Sequence, residues 1–510
     1  MGAGEKKGSP SGQGDIMSKT VIYLGYFCLY SVVLLIIGKS SLRDGNTPED
    51  YFICERKVSL AQSVCTFTGT WVSAITIISL TGSVYEDGLA VLFYSVVPWF
   101  LGAFLLALVA KRLYQNGIIT IPELFRTRYG SRALQVVYGV IIILVYVFYL
   151  VSQYKGFGMI SAALFDIPYP VGVGMIYLFI LYTTFGGYRS VVRTDVFNLI
   201  LLVVGLAVLM GSVLSQVGGF SELYRQAGQL TSRSAGGDSF ESSPLLALFG
   251  GRYTPVVSLS MFWGWGLGLA ANPQYLVRML GTGSARDARR TVLYSLVLLA
   301  LIYFALIHIG LGMRVLVPQL PQPVATDEIV IRLINHELYG PWSGFFLFTV
   351  FGACVSTANS QLLLIASSFS CDIVKGLSHK EIPASRVVNL GRCAVLAGGT
   401  MAMVLTLNPP DFTLSYGGDI WGILGILLFP PLYGTLLTGK VTLRGIWACV
   451  VTGAASIAVL YPLYYRGAFP AHPAMIGVPL SAAAMVLASV FDRRKGGKVL
   501  EMEAERHDRK

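Results

Sequence analysis

The chain has 510 residues, 54% of them hydrophobic and only 13% charged, with a mean hydropathy of +0.65. That is too apolar for an ordinary soluble domain, and runs near the spanning length of about 20 residues recur along it. The net charge of +11 does not point to nucleic acid, because the basic residues gather in alternate loops rather than on one face. The reading is an all-α membrane protein with no nucleotide-binding motif such as G-x-x-x-x-G-K and no enzymatic centre.

Residues 1–18 are rich in Gly, Ser and Lys and lack the short apolar stretch and cleavage site of a secretion signal. They are expected to form a disordered tail ahead of a retained leading helix at 19–39. Hydrophobic runs predict twelve more spans, at 60–86, 88–111, 133–164, 168–186, 194–216, 254–277, 291–314, 343–374, 393–408, 413–438, 443–464 and 474–491, about 13 in all. An odd count puts the termini on opposite sides. With the N-terminus outside, 28 of the 38 Lys and Arg residues fall in inside loops and the tail, which assigns N-out, C-in. The seven cysteines show no metal-ligand spacing and read as reduced packing residues.

Two spans read as broken. In the second, Gly69 lies among Thr66, Thr68, Thr70 and Ser73; the seventh carries Gly264, Gly266 and Gly268 and then Asn272-Pro273. A freed carbonyl at membrane depth is tolerated only where it lines a cavity or binds something. The breaks are five spans apart, as the first helices of two inverted five-helix repeats would be. The chain therefore divides into repeats at 60–216 and 254–438, an extracellular connector at 217–253, two trailing helices within 443–491 and a cytoplasmic tail at 492–510. Glycines placed for close helix packing are the alternative.

The span at 343–374 carries Ser356, Thr357, Ser360, Ser367, Ser368 and Ser370 where a lipid-facing helix would carry Leu or Val. A small hard cation prefers oxygen ligands. Ser356 and Thr357 supply hydroxyls, the backbone of Ala353 a carbonyl on the same helix, and the break near Gly69 and Val72 further carbonyls, a set that suits Na⁺. Back-bonding of the two hydroxyls to their own helix is the alternative.

The run from Ala353 through Ser356-Thr357 and Ser360-Gln361 to Asp372-Ile-Val-Lys375 resembles the eighth core helix of the sodium/solute symporter family. Pro122-Glu-Leu-Phe-Arg126, Gln153, Gly186-Gly187, Thr194-Asp195, Asn272-Pro273-Gln274, Arg278, Trp421, Gly425 and Pro430 extend the resemblance over roughly residues 20–440. It implies a leucine-transporter-type fold with one leading, ten core and two trailing helices. It also implies a Na⁺ site formed by Gly69, Val72, Ala353, Ser356 and Thr357, with Asp195 on the inner sodium path. Capping of its own helix is the other reading of Asp195. Asn359 departs from the Asp common in the family, which leaves a second cation site open.

Charges inside a membrane mark function by default. Lys155 and Asp419 are two, and a pair between them is expected; the alternative has Lys155 reaching the outer interface and Asp419 capping a helix start. The solute site is expected from Ser73, Thr76, Gln153, Lys155, Trp265, Asn272, Gln274, Tyr416 and Asp419. The stretch Trp71-Val-Ser73-Ala-Ile-Thr76 resembles the monocarboxylate, vitamin and iodide branch of the family. The sequence thus describes a multi-pass plasma-membrane secondary transporter whose partners are Na⁺, a small organic solute and the bilayer, with no nucleic acid and no obligatory protein partner. A carboxylate or amino acid is favoured as solute. A sugar, proton coupling through Lys155, and a non-transporting sensor remain as alternatives.

Overall fold

The computed structural model describes residues 11–41, 47–232, 242–320, 324–338, 340, 343–409 and 413–508. Residues 1–10 of the expected tail and 233–241 of the expected connector lie outside them. The protein is all-helical, and among the described residues only isolated bridging pairs occur in place of strands. The helices are α1 (Ser11–Ser41), the bent pair α2 (Leu60–Trp71) and α3 (Ile75–Ala90), α4 (Leu92–Gln115), α5 (Arg132–Phe165), α6 (Tyr169–Thr184), α7 (Gly187–Val217), α8 (255–270), α9 (Pro273–Leu280), α10 (Ala285–Leu316), α11 (Ser343–Leu377), α12 (Ala384–Thr406), α13 (Thr413–Leu437), α14 (Leu443–Tyr465) and α15 (Ala474–Asp508).

Ten of these are long and apolar enough to cross a membrane, and the bent pair α2/α3 makes eleven. The two other expected spans fall on the 16-residue α6 and on the broken α8/α9. Several helices outrun their apolar stretches. α1 begins at Ser11, so 11–18 is helical rather than disordered, and α7 begins at Gly187, seven residues before the expected start. Hydropathy marks the apolar run, whereas the hydrogen-bonded helix continues through polar residues at either end.

α11 is the axis of the molecule. Its apolar window is buried throughout and has the lowest mean hydropathy of the ten, 1.4, and it packs against α2, α5, α6, α7 and α12. A helix with no lipid-facing side needs no apolar stripe, which is why hydroxyls are spread around it. Local chemistry sets the helix starts. Ser59 and Gln62 form a capping box at α2, and Ser284 caps α10 through the backbone N–H of Asp287.

Candidate cation and solute site

α2 runs through Gly69 and ends only at Trp71, after which the chain turns by 61° into α3. The break therefore lies at Val72–Ala74 rather than at the glycine, and three of the backbone groups beside it are met by side chains. The Ser73 N–H donates to Thr76 Oγ1 at 3.3 Å and the Ala74 N–H to Gln153 Oε1 at 3.2 Å. The Trp71 carbonyl accepts from Thr76 Oγ1 at 3.4 Å.

The second break falls where the sequence placed it. Asn272 caps α9, its Oδ1 accepting the Gln274 N–H at 3.0 Å, and the Tyr146 hydroxyl donates to the same oxygen. The Gln274 side chain reaches across to the first break and donates to the carbonyl and Oγ1 of Thr70 at 2.8 and 2.7 Å. Thr357 Oγ1 meets that carbonyl at 3.4 Å. Two broken helices and α11 thus converge on one residue.

Beside this junction α7 contributes Asp195. It is fully buried in the third turn of the helix, so it does not cap α7 as its alternative reading held; Gly187 opens the helix instead. Its Oδ1 accepts from Ser356 Oγ at 2.6 Å, and its Oδ2 accepts from Thr66 Oγ1 and lies 3.4 Å from Arg278 Nη2. Arg278 also donates to Ser360 and stands over the Tyr188 ring at 4.7 Å. A Cβ on Gly69 would be 3.4 Å from both Ser356 Oγ and the Asp195 carbonyl, so the glycine admits both to the flank of α2. Gly69, Asp195, Ser356 and Thr357 are therefore neighbours. Val72 caps α2 and Ala353 precedes Thr357 by one turn on α11. The donors are hydroxyl, carboxylate and carbonyl oxygens, which fit a small hard cation.

Aromatic rings wall the two breaks. Trp71 lies 4.6 Å from Tyr275 between ring centroids, and Trp421 is 5.9 Å from Tyr275 and 4.8 Å from Trp265. Trp265 continues to Trp99 at 5.1 Å, and Trp71 Nε1 donates to the Tyr303 hydroxyl at 2.8 Å. Ser73, Thr76, Gln153, Trp265, Asn272 and Gln274 all belong to this region.

Three expected residues do not. Lys155 and Asp419 are not paired with each other. Lys155 Nζ meets Asp327 Oδ2 at 2.7 Å, both buried, where the short helix Thr326–Arg332 packs on the bundle. Lys155 also lines a cavity of about 750 Å³ with Glu328, Arg332 and Asn335, among whose lining residues none comes from either break. Asp419 lies inside α13 rather than at its start; it accepts from the Tyr465 hydroxyl and lies 3.2 Å from His472 Nε2. The Tyr416 hydroxyl goes to the Phe148 carbonyl at 2.8 Å. Asn359 is used in packing, its Oδ1 accepting from Thr183 and Thr184 at 2.7 and 2.9 Å.

From the sequence, Thr66 and Arg278 are named without either being given a part in the site, and Asp327 and His472 are not singled out. Arg278 was visible as a charge within a few residues of Asn272-Pro273, but it counts equally well as a loop cation.

The family model described as Sodium:solute symporter family matches residues 51–453. The sodium/proline symporter of Staphylococcus aureus (strain JH9) is 25% identical over 450 residues, 84% of this chain and 84% of the relative. Among solved structures, a Na⁺-coupled sialic acid symporter in a substrate-bound outward-open state superposes with a TM-score of 0.74 at 20% identity, covering 92% of this chain and 96% of the other. A nucleobase-cation-symport-1 family transporter in a closed conformation gives a TM-score of 0.57 at 14% identity, covering 89% and 96%. The two structures share the fold.

Proposed function

Because the chain belongs to the sodium:solute symporter family, we propose that it is a secondary active transporter that couples entry of a small organic solute to Na⁺. The observation that carries this reading is the meeting of Ser356 with Asp195 at 2.6 Å beside Gly69, with Thr357 at the Thr70 carbonyl. Na⁺ sits among the oxygens of Gly69, Val72, Ala353, Ser356 and Thr357, and Asp195 lies on its way to the cytoplasm. Arg278 holds the Asp195 carboxylate when the ion has left. Thr76, Gln153, Trp265 and Gln274 bind the solute at the junction of the breaks, where aromatic faces and a few polar groups meet. One helix bundle rocks against the rest, and the site opens to each side in turn.

The N-out, C-in orientation, the thirteen spans and the inverted pair of five-helix repeats belong to the same proposal. The distribution of basic residues supports the first, and the spacing of the two breaks supports the last. An amino acid or carboxylate is the favoured solute, in keeping with relatives named sodium/proline symporter; a sugar is the alternative. A proton-driven reading would rest on Lys155. Its ammonium is tied to Asp327 at 2.7 Å, which would have to release it in each cycle.

The test is uptake by the purified protein in liposomes. Labelled proline, other amino acids, carboxylates and sugars are offered under separate Na⁺ and H⁺ gradients, with Thr357→Ala in parallel. Uptake that follows Na⁺ and collapses in Thr357→Ala is expected. Uptake driven by H⁺ alone and insensitive to Thr357→Ala would overturn the reading.

A further inference from the structure

At the end of the bundle that the basic loops assign to the cytoplasm, the short helix Ile121–Tyr129, the first turn of α5 and the end of α11 enclose a cleft of about 720 Å³. Arg126, Arg132, Lys375, His379 and Lys380 converge on it. None of the four Arg and Lys side chains lies within ion-pair distance of a carboxylate among the described residues. Arg126 and Arg132 make only long bonds of 3.4 Å to neutral oxygens, of Gln135 and Ser378. Glu123, which also faces the cleft, is occupied with the Ile119 N–H at 2.7 Å, and Glu381 faces it as well.

Topology alone accounts for basic residues on this side, but not for their convergence in a concavity or for what adjoins it. A second groove of about 590 Å³ shares Ser378, Lys380, Glu381 and Ile382 with the cleft. Its remaining wall is mainly apolar, formed by Val374, Leu377, Pro383 and Leu390, with Arg386 at its edge. Leu377 is 63% exposed. A cationic pocket opening into an apolar groove matches a ligand with an anionic head and a hydrocarbon tail.

We propose that this paired cleft binds an anionic phospholipid of the inner leaflet, its phosphate among Arg126, Arg132, Lys375 and Lys380 and an acyl chain along Leu377 and Leu390. The floor beneath the head is already tied together. Asp372 of α11 accepts from Thr120 at 2.5 Å and from Gln135 of α5 at 3.0 Å. A lipid bound above it braces the end of the helix that carries Ser356 and Thr357.

The full-length protein is purified in detergent and lipid retention is read by native mass spectrometry, with phosphatidylglycerol and phosphatidylcholine offered together. Preferential retention of phosphatidylglycerol is expected, weakened roughly fivefold for each cation removed in Arg132→Gln and Lys380→Gln. Both positions are exposed, so folding is spared. Leu377→Gln is expected to weaken phosphatidylglycerol without touching the cations, and millimolar inorganic phosphate should not displace the lipid. Equal retention of the two lipids, or retention unchanged in the double variant, would overturn the proposal. Displacement by inorganic phosphate together with an unaffected Leu377→Gln would assign the cleft to a free anion instead. If the double variant does not fold, the comparison of the two lipids on the parent protein and Leu377→Gln still decide.

Discussion

Gln274, two residues past the second helix break, donates to the carbonyl and hydroxyl of Thr70, one residue before the end of α2. One side chain therefore fixes the distance between the two breaks. Gln274→Ala takes the Gln274 amide away from the Thr70 hydroxyl and leaves the Thr70 carbonyl only the long bond from Thr357, and it is expected to lower stability by about 1–3 kcal/mol, the usual penalty for an unsatisfied buried group. Gln274→Glu keeps the shape but loses the donor, and its unfolding temperature in detergent should match that of Gln274→Ala. A Glu variant as stable as the parent would mean that shape, not the hydrogen bond, holds the breaks together.

Asp195 and Arg278 are both buried and lie 3.4 Å apart at their nearest atoms. Removing one partner of such a pair typically costs about 3–5 kcal/mol, because the other charge is left uncompensated. Asp195→Asn should thus unfold at a much lower temperature, whereas Asp195→Asn combined with Arg278→Met should recover much of the loss. The double variant should still fail in Na⁺-driven uptake. Full transport by it would remove Asp195 from the sodium path.

The Lys155–Asp327 pair makes a different prediction, since it ties α5 to the short helix Thr326–Arg332. Lys155→Met leaves Asp327 buried beside an apolar neighbour, and a loss on the order of 3 kcal/mol is expected, relieved in Lys155→Met with Asp327→Leu. If the pair is a tether for the helix Thr326–Arg332, that double variant transports with its Na⁺ dependence unchanged. An uptake assay in which the double variant loses all gradient-driven transport would return Lys155 to the coupling machinery.

Gly268 of α8 packs directly against Trp421 of α13. A Cβ there would stand 2.1 Å from the Trp421 carbonyl oxygen and 2.5 Å from its carbon, closer than any real contact. Gly268→Ala is expected to cost about 3 kcal/mol or more and to yield aggregated protein in size-exclusion profiles. Gly25 on α1 has nothing within 4 Å of its added Cβ, and Gly25→Ala should elute like the parent.

The helices, the Asn272-Pro273 break and the hydroxyl pair of α11 were legible in the sequence because each is written within one segment, as an apolar run, a helix breaker or a cluster of oxygens. The partners of the charges were not. Asp327 is 172 residues from Lys155, in a stretch that hydropathy reads only as an outer loop. Arg278 lies beside a break and was counted among the loop cations that set orientation, although it is buried under Asp195. The partners of Asp419 are not legible because periodicity describes one helix at a time, and Tyr465 and His472 come from the end of α14 and from the connection between the two trailing helices. The glycines of α8 serve the packing reading rather than the break, as the contact of Gly268 with Trp421 makes plain.

α11 is the most polar of the long helices and the most enclosed. Such a segment partitions poorly into lipid by itself, so its entry into the membrane during synthesis depends on a protein surface to receive it. Of the helices that surround it, α2, α5, α6 and α7 are made first and only α12 comes later. The order of the genetic message thus delivers α11 into a socket of which all but α12 has already been made, and a ribosome-bound chain that ends just after α11 should expose that helix to the bilayer only if α5 and α7 are missing.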